Sequence, residues 1–101
     1  MKDLDTFMPV LQLLPIDGGD DLKVYAVNGQ AGQLMPPCRC NQDAYFVINQ
    51  GVVRLNLEDL ARLMQPRENA FLPANAVFHL EVLQDCRAQL VIPSQARLEF
   101  L

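Results

Sequence analysis

The sequence predicts an all-β fold, a sandwich or barrel built from short strands. Short apolar runs recur along the chain, and turn-forming residues such as Asp17–Asp20 and Gln65-Pro66 separate them. Apolar and polar residues alternate within 53–58 and 78–82, which is typical of strands with one buried face. Many short strand patterns at close, regular spacing favour a sandwich or a barrel.

The expected strands follow the apolar runs in chain order. They cover residues 10–14, 22–27, 33–35, 45–48, 52–57, 60–64, 70–72, 77–83, 88–92 and 97–101. Gly, Asn, Asp and Pro adopt turn conformations readily. We therefore expect turns at Asp17–Asp20, Asn28-Gly29, Gln50-Gly51, Gln65-Pro66 and Gln84-Asp85.

The segment 57–64 fits two interpretations. Leu57, Leu60 and Leu63 have helical spacing, and two acidic residues would lie in the first turn of a short helix. The other interpretation is a hairpin turn at Glu58-Asp59 followed by a strand. We favour the hairpin, because the flanking segments all have strand patterns.

Composition indicates one soluble domain spanning residues 1–101. The chain has 101 residues, half of them hydrophobic, and a formal net charge of −4. A single core usually serves a chain of this length. Nucleic acid and anionic membranes need a basic surface, so we predict neither as a partner.

The compartment expected from the sequence is the cytoplasm. Asp3 and Asp5 lie close to the first residue, and the apolar segment 7–16 is interrupted by Pro9 and Pro15. It is too short for a membrane span, which needs about 20 apolar residues. Cys38, Cys40 and Cys86 are an odd number of cysteines, which favours reduced thiols.

The middle of the chain resembles the first sequence motif of the cupins, which are small jelly-roll barrels. That motif is Gly, five residues, His-x-His, three or four residues, Glu, six residues and Gly. Here Gly32 is followed by five residues, Cys38-Arg39-Cys40, three residues, Ala44, six residues and Gly51. Both glycines and all the spacings agree.

The second cupin motif is Gly, five residues, Pro-x-Gly, two residues and His. The matching positions here are Arg67, Pro73-Ala74-Asn75 and Phe78. Asn at the second glycine position is tolerable, because Asn adopts left-handed backbone conformations more readily than other side chains do. The resemblance covers about half of the chain, from residue 32 to residue 92, and implies a cupin-like jelly-roll β-barrel (a double-stranded β-helix).

The same resemblance identifies the positions that hold a divalent metal in the family. They carry Cys38, Cys40, Ala44 and Phe78 in this chain, so the usual ligands are replaced. We therefore predict no catalytic residue and no cofactor. Ions such as Mn²⁺ or Fe²⁺ would lose their carboxylate and imidazoles at these positions.

Two interpretations of the cysteine pair remain. Cys38 and Cys40 are two residues apart, so on a strand both side chains point to one face. They either fill the former ligand space as small hydrophobes or bind zinc, copper or iron as thiolates. His79 would join such a metal site only if a β-bulge near Asn75 re-aimed it, because a one-residue offset places it on the opposite face.

The expected function is that of a cupin-like module that has lost its usual metal ligands. A small apolar ligand would occupy a pocket lined by Cys38, Cys40, Ala44, Phe46 and Phe78, or the module would serve as an accessory or interaction protein. The alternatives are a metal-dependent oxygenase or isomerase with an altered thiolate site, and a structural subunit. The resemblance also implies a homodimer.

Overall fold

All regular secondary structure in the part of the chain that the structure describes is β-strand. The structure is a computed structural model, and it describes residues 12–16 and 21–101. The strands are β1 (Gln12–Ile16), β2 (Leu22–Gly29), β3 (Leu34–Cys40), β4 (Ala44–Leu57), β5 (Leu60–Met64), β6 (Asn69–Leu72), β7 (Phe78–Pro93) and β8 (Leu98–Phe100). The predicted all-β class is confirmed. The expected turn at Asp17–Asp20 and the beginning of the first expected strand lie outside the described residues.

The strands form two antiparallel layers that share their two longest members. In sheet I the order is β1, β2, the second half of β7, the first half of β4, and β6. In sheet II the order is β8, β3, the first half of β7, the second half of β4, and β5. Because β4 and β7 pair along almost their whole length, they carry the chain from one sheet into the other.

Two expected turns are instead bends inside these long strands. Gln50-Gly51 lies within β4, and Gln84-Asp85 lies within β7. The pairing of the two strands shifts register between Ile48 and Val53, which is the effect of β-bulges. A third expected turn, Asn28-Gly29, is the end of β2, and the chain turns two residues later. The expectation of turns was therefore wrong at all three places.

The segment 57–64 is the hairpin that we favoured over the helix. Leu57 pairs with Leu60, and the pairing continues to Val53 and Met64. Glu58 has a φ of 51°, in the left-handed region that a tight turn requires.

A bulge in β3 sets the direction of the two cysteines. The register with β7 is interrupted between Met35 and Cys38, where the chain carries Pro36 and Pro37. Proline has no N–H for the ladder and is confined to strand edges and bulges. As a result Met35 and Cys38, three residues apart, are both buried, whereas an unbroken strand would place them on opposite faces.

The inward faces of the two sheets form one apolar core. No polar or charged residue among the described ones is buried. The largest fully buried side chains of the core are Phe46, Phe78, Met35, Ile48, Leu55, Met64, Leu72, Leu80, Leu90, Ile92, Val27 and Val53. The core therefore depends on apolar packing, which stabilises by about 25 cal/mol per Å² removed from water.

The outward faces of the two sheets differ in charge. On sheet I two adjacent register rows contain no ionisable group except the Tyr45 phenol; they read Val24–Val91–Tyr45–Phe71 and Ala26–Gln89–Val47–Asn69. We call these eight residues the neutral face. On sheet II the outward residues, here called the charged face, include Arg39, Arg54, His79, Glu81 and Glu99.

Ion pairs cross the strands of the charged face. Arg54 donates to Glu81 at 2.8 Å, and Arg39 donates to Glu99 at 3.0 Å. Both pairs are solvent-exposed, and such pairs contribute about 0.2–1 kcal/mol each. The charged face therefore has the ionic side chains typical of a solvent-exposed surface, and the neutral face lacks them.

Over residues 12–16 and 21–101 there is no helix with the length and apolar character needed to cross a membrane.

Candidate functional site

The four positions matched to cupin metal ligands come together in the core. Cys38 on β3 pairs directly with Phe78 on β7, and Cys40 lies two residues further along the same inward face. Cys38, Cys40, Ala44 and Phe78 are exposed by 0, 2, 0 and 1% respectively. The fold therefore places these positions as the resemblance implies, but with apolar or thiol side chains.

The backbone at the motif turns has the conformation that the motifs require. Gly32 and Gly51 have φ values of 93° and 84°, and glycine enters this region without steric cost. Asn75, at a family glycine position, has a φ of 69°, so the expected left-handed Asn is confirmed. Arg67 stands at the other such position with a φ of 74°, which sequence reasoning did not foresee.

The chemistry of the central side chains does not fit a hard divalent cation. Two thiols, a methyl group and a phenyl ring supply neither oxygen nor imidazole ligands. Among the described residues no buried side-chain nitrogen or oxygen is left without a hydrogen-bond partner. No unpaired buried polar atoms in that part of the chain are therefore available as metal ligands. Residues 12–16 and 21–101 also contain no group of three or more His, Cys, Asp or Glu side chains placed to hold a metal ion.

Two of the thiols, those of Cys38 and Cys86, are poor ligands or nucleophiles in this environment. Burial and then the neighbouring Cys40 raise the pKa of Cys38 to about 12. Cys86 also has a raised pKa, because burial outweighs a hydrogen bond from the Gly29 backbone. All three cysteines are free. Because a thiolate is the nucleophilic and metal-binding form, Cys38 remains a protonated, weakly polar group at neutral pH.

His79 does not face this cluster. The register of β7 with β4 is regular from Phe78 to Val82, so the bulge near Asn75 that would re-aim His79 is not observed. His79 pairs with Asn56 and is half-buried on the charged face. The bulge that does orient this site lies on β3, at Pro36-Pro37.

The five residues expected to line a ligand pocket pack against one another. Phe46 is 1% exposed and belongs to the same core cluster as the two cysteines, Ala44 and Phe78. None of the five lines either of the two clefts described next. At this centre the structure shows packed side chains.

Two polar surface clefts lie away from the central cluster. The first, of about 630 Å³, is lined by Asn28, Gly29, Gln30, Gln33, Gln50, Asp85, Cys86 and Arg87. We call it the amide cleft. The second, of about 400 Å³, is lined by Arg39, Asn41, Asn75, Arg97, Leu98 and Glu99. We call it the arginine cleft.

Sequence reasoning did not find either cleft. The amide cleft brings together Asn28, Gly29, Gln50 and Asp85, which belong to three dipeptides that sequence reasoning had assigned to turns. The signal in the sequence was that Asn28 and Gln50 are polar residues next to glycine. What the sequence could not show is that these dipeptides meet, because their meeting depends on the bends of β4 and β7.

The two shared long strands, the antiparallel pairing and the motif turns together define a double-stranded β-helix. Solved structures of cupin proteins from Shewanella frigidimarina, Desulfitobacterium hafniense and Methanocaldococcus jannaschii are similar to this chain, so the fold is that of the cupins. An uncharacterized conserved protein with a double-stranded β-helix domain from Klebsiella pneumoniae matches with a TM-score of 0.79 at 10% identity, over 99% of this chain and 95% of that one. KdgF from Halomonas sp. matches with a TM-score of 0.78 at 19% identity, over 86% and 81%.

One further similar structure is that of a protein named as an enzyme. The polyketide cyclase RemF from Streptomyces resistomycificus matches with a TM-score of 0.70 at 20% identity, over 84% of this chain and 63% of that one. No protein-family model matches the sequence, and no curated protein matches it. At these identities the similarity establishes the fold, and one fold hosts many functions.

Proposed function

We propose that this protein is a cupin-fold binding and interaction module that works without a metal centre. One observation carries the proposal: the positions matched to the family's ligands are filled by Cys38, Cys40, Ala44 and Phe78, none more than 2% exposed. A binding module needs surface chemistry rather than a reactive centre. The amide cleft and the neutral face are where this chain offers it.

Metal analysis of the full-length chain tests this proposal. Protein purified without an affinity tag, with its thiols kept reduced, is expected to carry far less than one zinc, copper or iron atom per chain. Cys38→Ser with Cys40→Ser is expected to leave that low content unchanged. One metal atom per chain, lost in the double variant, would overturn the proposal in favour of a thiolate metal enzyme.

We further propose that the module is a homodimer joined through the neutral face. Tyr45 and Phe71 are 50% and 46% exposed, and their rings contact one another with centroids 5.4 Å apart. Aromatic residues are enriched and charged residues depleted at the centres of protein interfaces. A chain with a net charge of −4 repels its own copy least where the facing surfaces lack carboxylates, and the neutral face carries none.

A second copy fits this face better than an oppositely charged partner does. A basic partner would be selected by acidic residues, and an acidic partner by basic ones. Both rows of the neutral face lack acidic and basic side chains, so the face complements itself. A two-fold dimer uses the same patch on both subunits.

Measuring the oligomeric state tests the proposed dimer through the neutral face. Sedimentation over a dilution series is expected to give twice the 11.4 kDa chain mass. Tyr45→Glu with Phe71→Glu is expected to give the monomer, because paired carboxylates would be buried. Leu63→Glu is the matched control: Leu63 is 51% exposed and pairs with Arg54 on sheet II, so it should leave the dimer intact. A monomeric wild type, or a dimer that survives the double variant, overturns this assignment.

A further inference from the structure

The amide cleft lies beside the neutral face, at the bend of the two long strands. Asn28 pairs with Arg87, and Arg87 pairs with Gln50. These three side chains therefore occupy one register row across β2, β7 and β4. Directly opposed residues in antiparallel sheets have Cβ atoms about 4.5–5.5 Å apart, so the row is one polar surface.

One wall of the cleft is held in place by hydrogen bonds of its own. Asp85 Oδ1 accepts from the Ala31 N–H at 2.8 Å, and Gln33 Oε1 accepts from the Gln30 N–H at 2.7 Å. The Gly32 N–H donates to the Val82 carbonyl at 2.9 Å. The segment 30–33 is thereby fixed onto β7, and a fixed wall lowers the entropic cost of binding.

Other polar groups in the cleft are not used by the fold. With the residues that the structure describes, the side chains of Asn28, Gln50 and Arg87 make no hydrogen bond, and Gln33 uses only its oxygen. Each amide offers both a donor and an acceptor. The cleft thus presents several donors and acceptors close together.

The lining indicates a polar ligand without net charge. Asp85 and Arg87 have opposite charges, form no ion pair with each other and offset one another in the field of the cleft. The lining has no aromatic or large aliphatic side chain, which disfavours an apolar ligand. Hydroxyl groups donate and accept as amides do, and a volume of about 630 Å³ lies within the usual range for small-molecule sites.

We propose that the amide cleft binds a neutral, polyhydroxylated ligand of the saccharide class, held by Asn28, Gln33, Gln50 and Arg87. This deepens the proposed binding function and rests on it. It requires neither metal nor dimer, so its failure is distinguishable from the metal and sedimentation results.

Nuclear magnetic resonance titration of the ¹⁵N-labelled full chain tests the proposal. The probes are glucose and maltose, with glucuronate and glucosamine as charged counterparts. The neutral sugars are expected to give saturable shifts of the side-chain amide signals of Asn28, Gln33 and Gln50, and the charged sugars weaker ones. No saturable shift with either neutral sugar, or tighter binding of a charged one, overturns the proposal. So does a set of shifts confined to the arginine cleft.

Two variants separate the clefts. Gln50→Ala removes one amide and is expected to weaken neutral-sugar binding by about two- to tenfold, as the loss of one hydrogen bond does. Arg97→Ala changes the arginine cleft instead and is expected to leave the affinity unchanged. Equal affinities for both variants would contradict the assignment. The same spectra report whether each variant is folded, and the wild-type titration decides the question if one is not.

Discussion

Gly51 and Asp85 approach so closely that residue 51 has no room for a side chain. A Cβ at position 51 would overlap the backbone oxygen of Asp85 and lie 2.7 Å from the Cα of Cys86. The contact joins the bends of β4 and β7, where both strands pass from one sheet to the other. Gln50 and Asp85, which lie at this contact, both line the amide cleft.

Gly51→Ala is therefore expected to be severely destabilising. Position 51 has a φ of 84°, and the added methyl group also meets backbone atoms that cannot move aside. We expect a loss of about 2–4 kcal/mol in the free energy of unfolding, measured by urea denaturation. Gly32→Ala is the control, because φ there is 93° but nothing lies within 4 Å of the added Cβ. Its loss should be about 1–2 kcal/mol, and equal losses would show that the close approach does not matter.

Arg67→Gly is expected to stabilise the protein. Arg67 has a φ of 74°, which costs a residue with a Cβ about 1–2 kcal/mol. Glycine removes that cost but has greater freedom in the unfolded chain, so the net gain should be about 0.5–1 kcal/mol. Arg67→Ala keeps the strain and should give no gain. The urea midpoints of the two variants check the difference, and a stabilising alanine would contradict strain as the cause.

Truncation is expected to cost much more stability at Phe78 than at His79. Phe78 is 1% exposed, so Phe78→Ala opens a cavity and should cost about 3–5 kcal/mol. His79 lies on the charged face, and His79→Ala should change stability by about 0.5 kcal/mol or less. Chemical denaturation of the two variants measures the change in the free energy of unfolding for each. A large loss at His79 would place its side chain in the core.

Stability is expected to fall at alkaline pH because of Cys38. Its pKa is about 12 in the folded protein against about 9 for an ordinary thiol. Above pH 9 the unfolded chain releases this proton while the folded protein retains it, so unfolding becomes more favourable as the pH rises towards 12. The slope from this group cannot exceed about 1.4 kcal/mol per pH unit. Cys38→Ala should flatten the pH dependence of the urea midpoint above pH 9, and an unchanged slope would exclude Cys38 as its source.

The motif residues show how far sequence reasoning reached. The resemblance of Gly32 to Gly51 to the first cupin motif implied the jelly roll, and the fold confirms it. The alternation within 53–58 predicted the second half of β4, and the strand patterns on either side favoured the hairpin to β5. Local signals failed at Gln50-Gly51 and Gln84-Asp85, where pairing between distant strands converts turn-forming residues into bends.

The shared direction of Cys38 and Cys40 was predicted from the sequence, but its structural cause was not. Cys38 and Cys40 do face inward, yet the reason is the bulge at Pro36-Pro37, whose effect appears only when β3 is paired with β7. Both clefts were missed because each draws residues from segments far apart in the chain. Whether Asn28 and Gln50 border the same space depends on the register of β7 between them.

The sharing of β4 and β7 between the sheets has a consequence for cooperativity. Neither sheet can open alone, since separating its strands breaks the ladder that also supports the other sheet. Amide hydrogens in the central parts of these two strands should therefore exchange only through global unfolding, at one common free energy. The protein is in this respect a single folding unit with two faces, so a ligand or partner that stabilises one face protects the other equally.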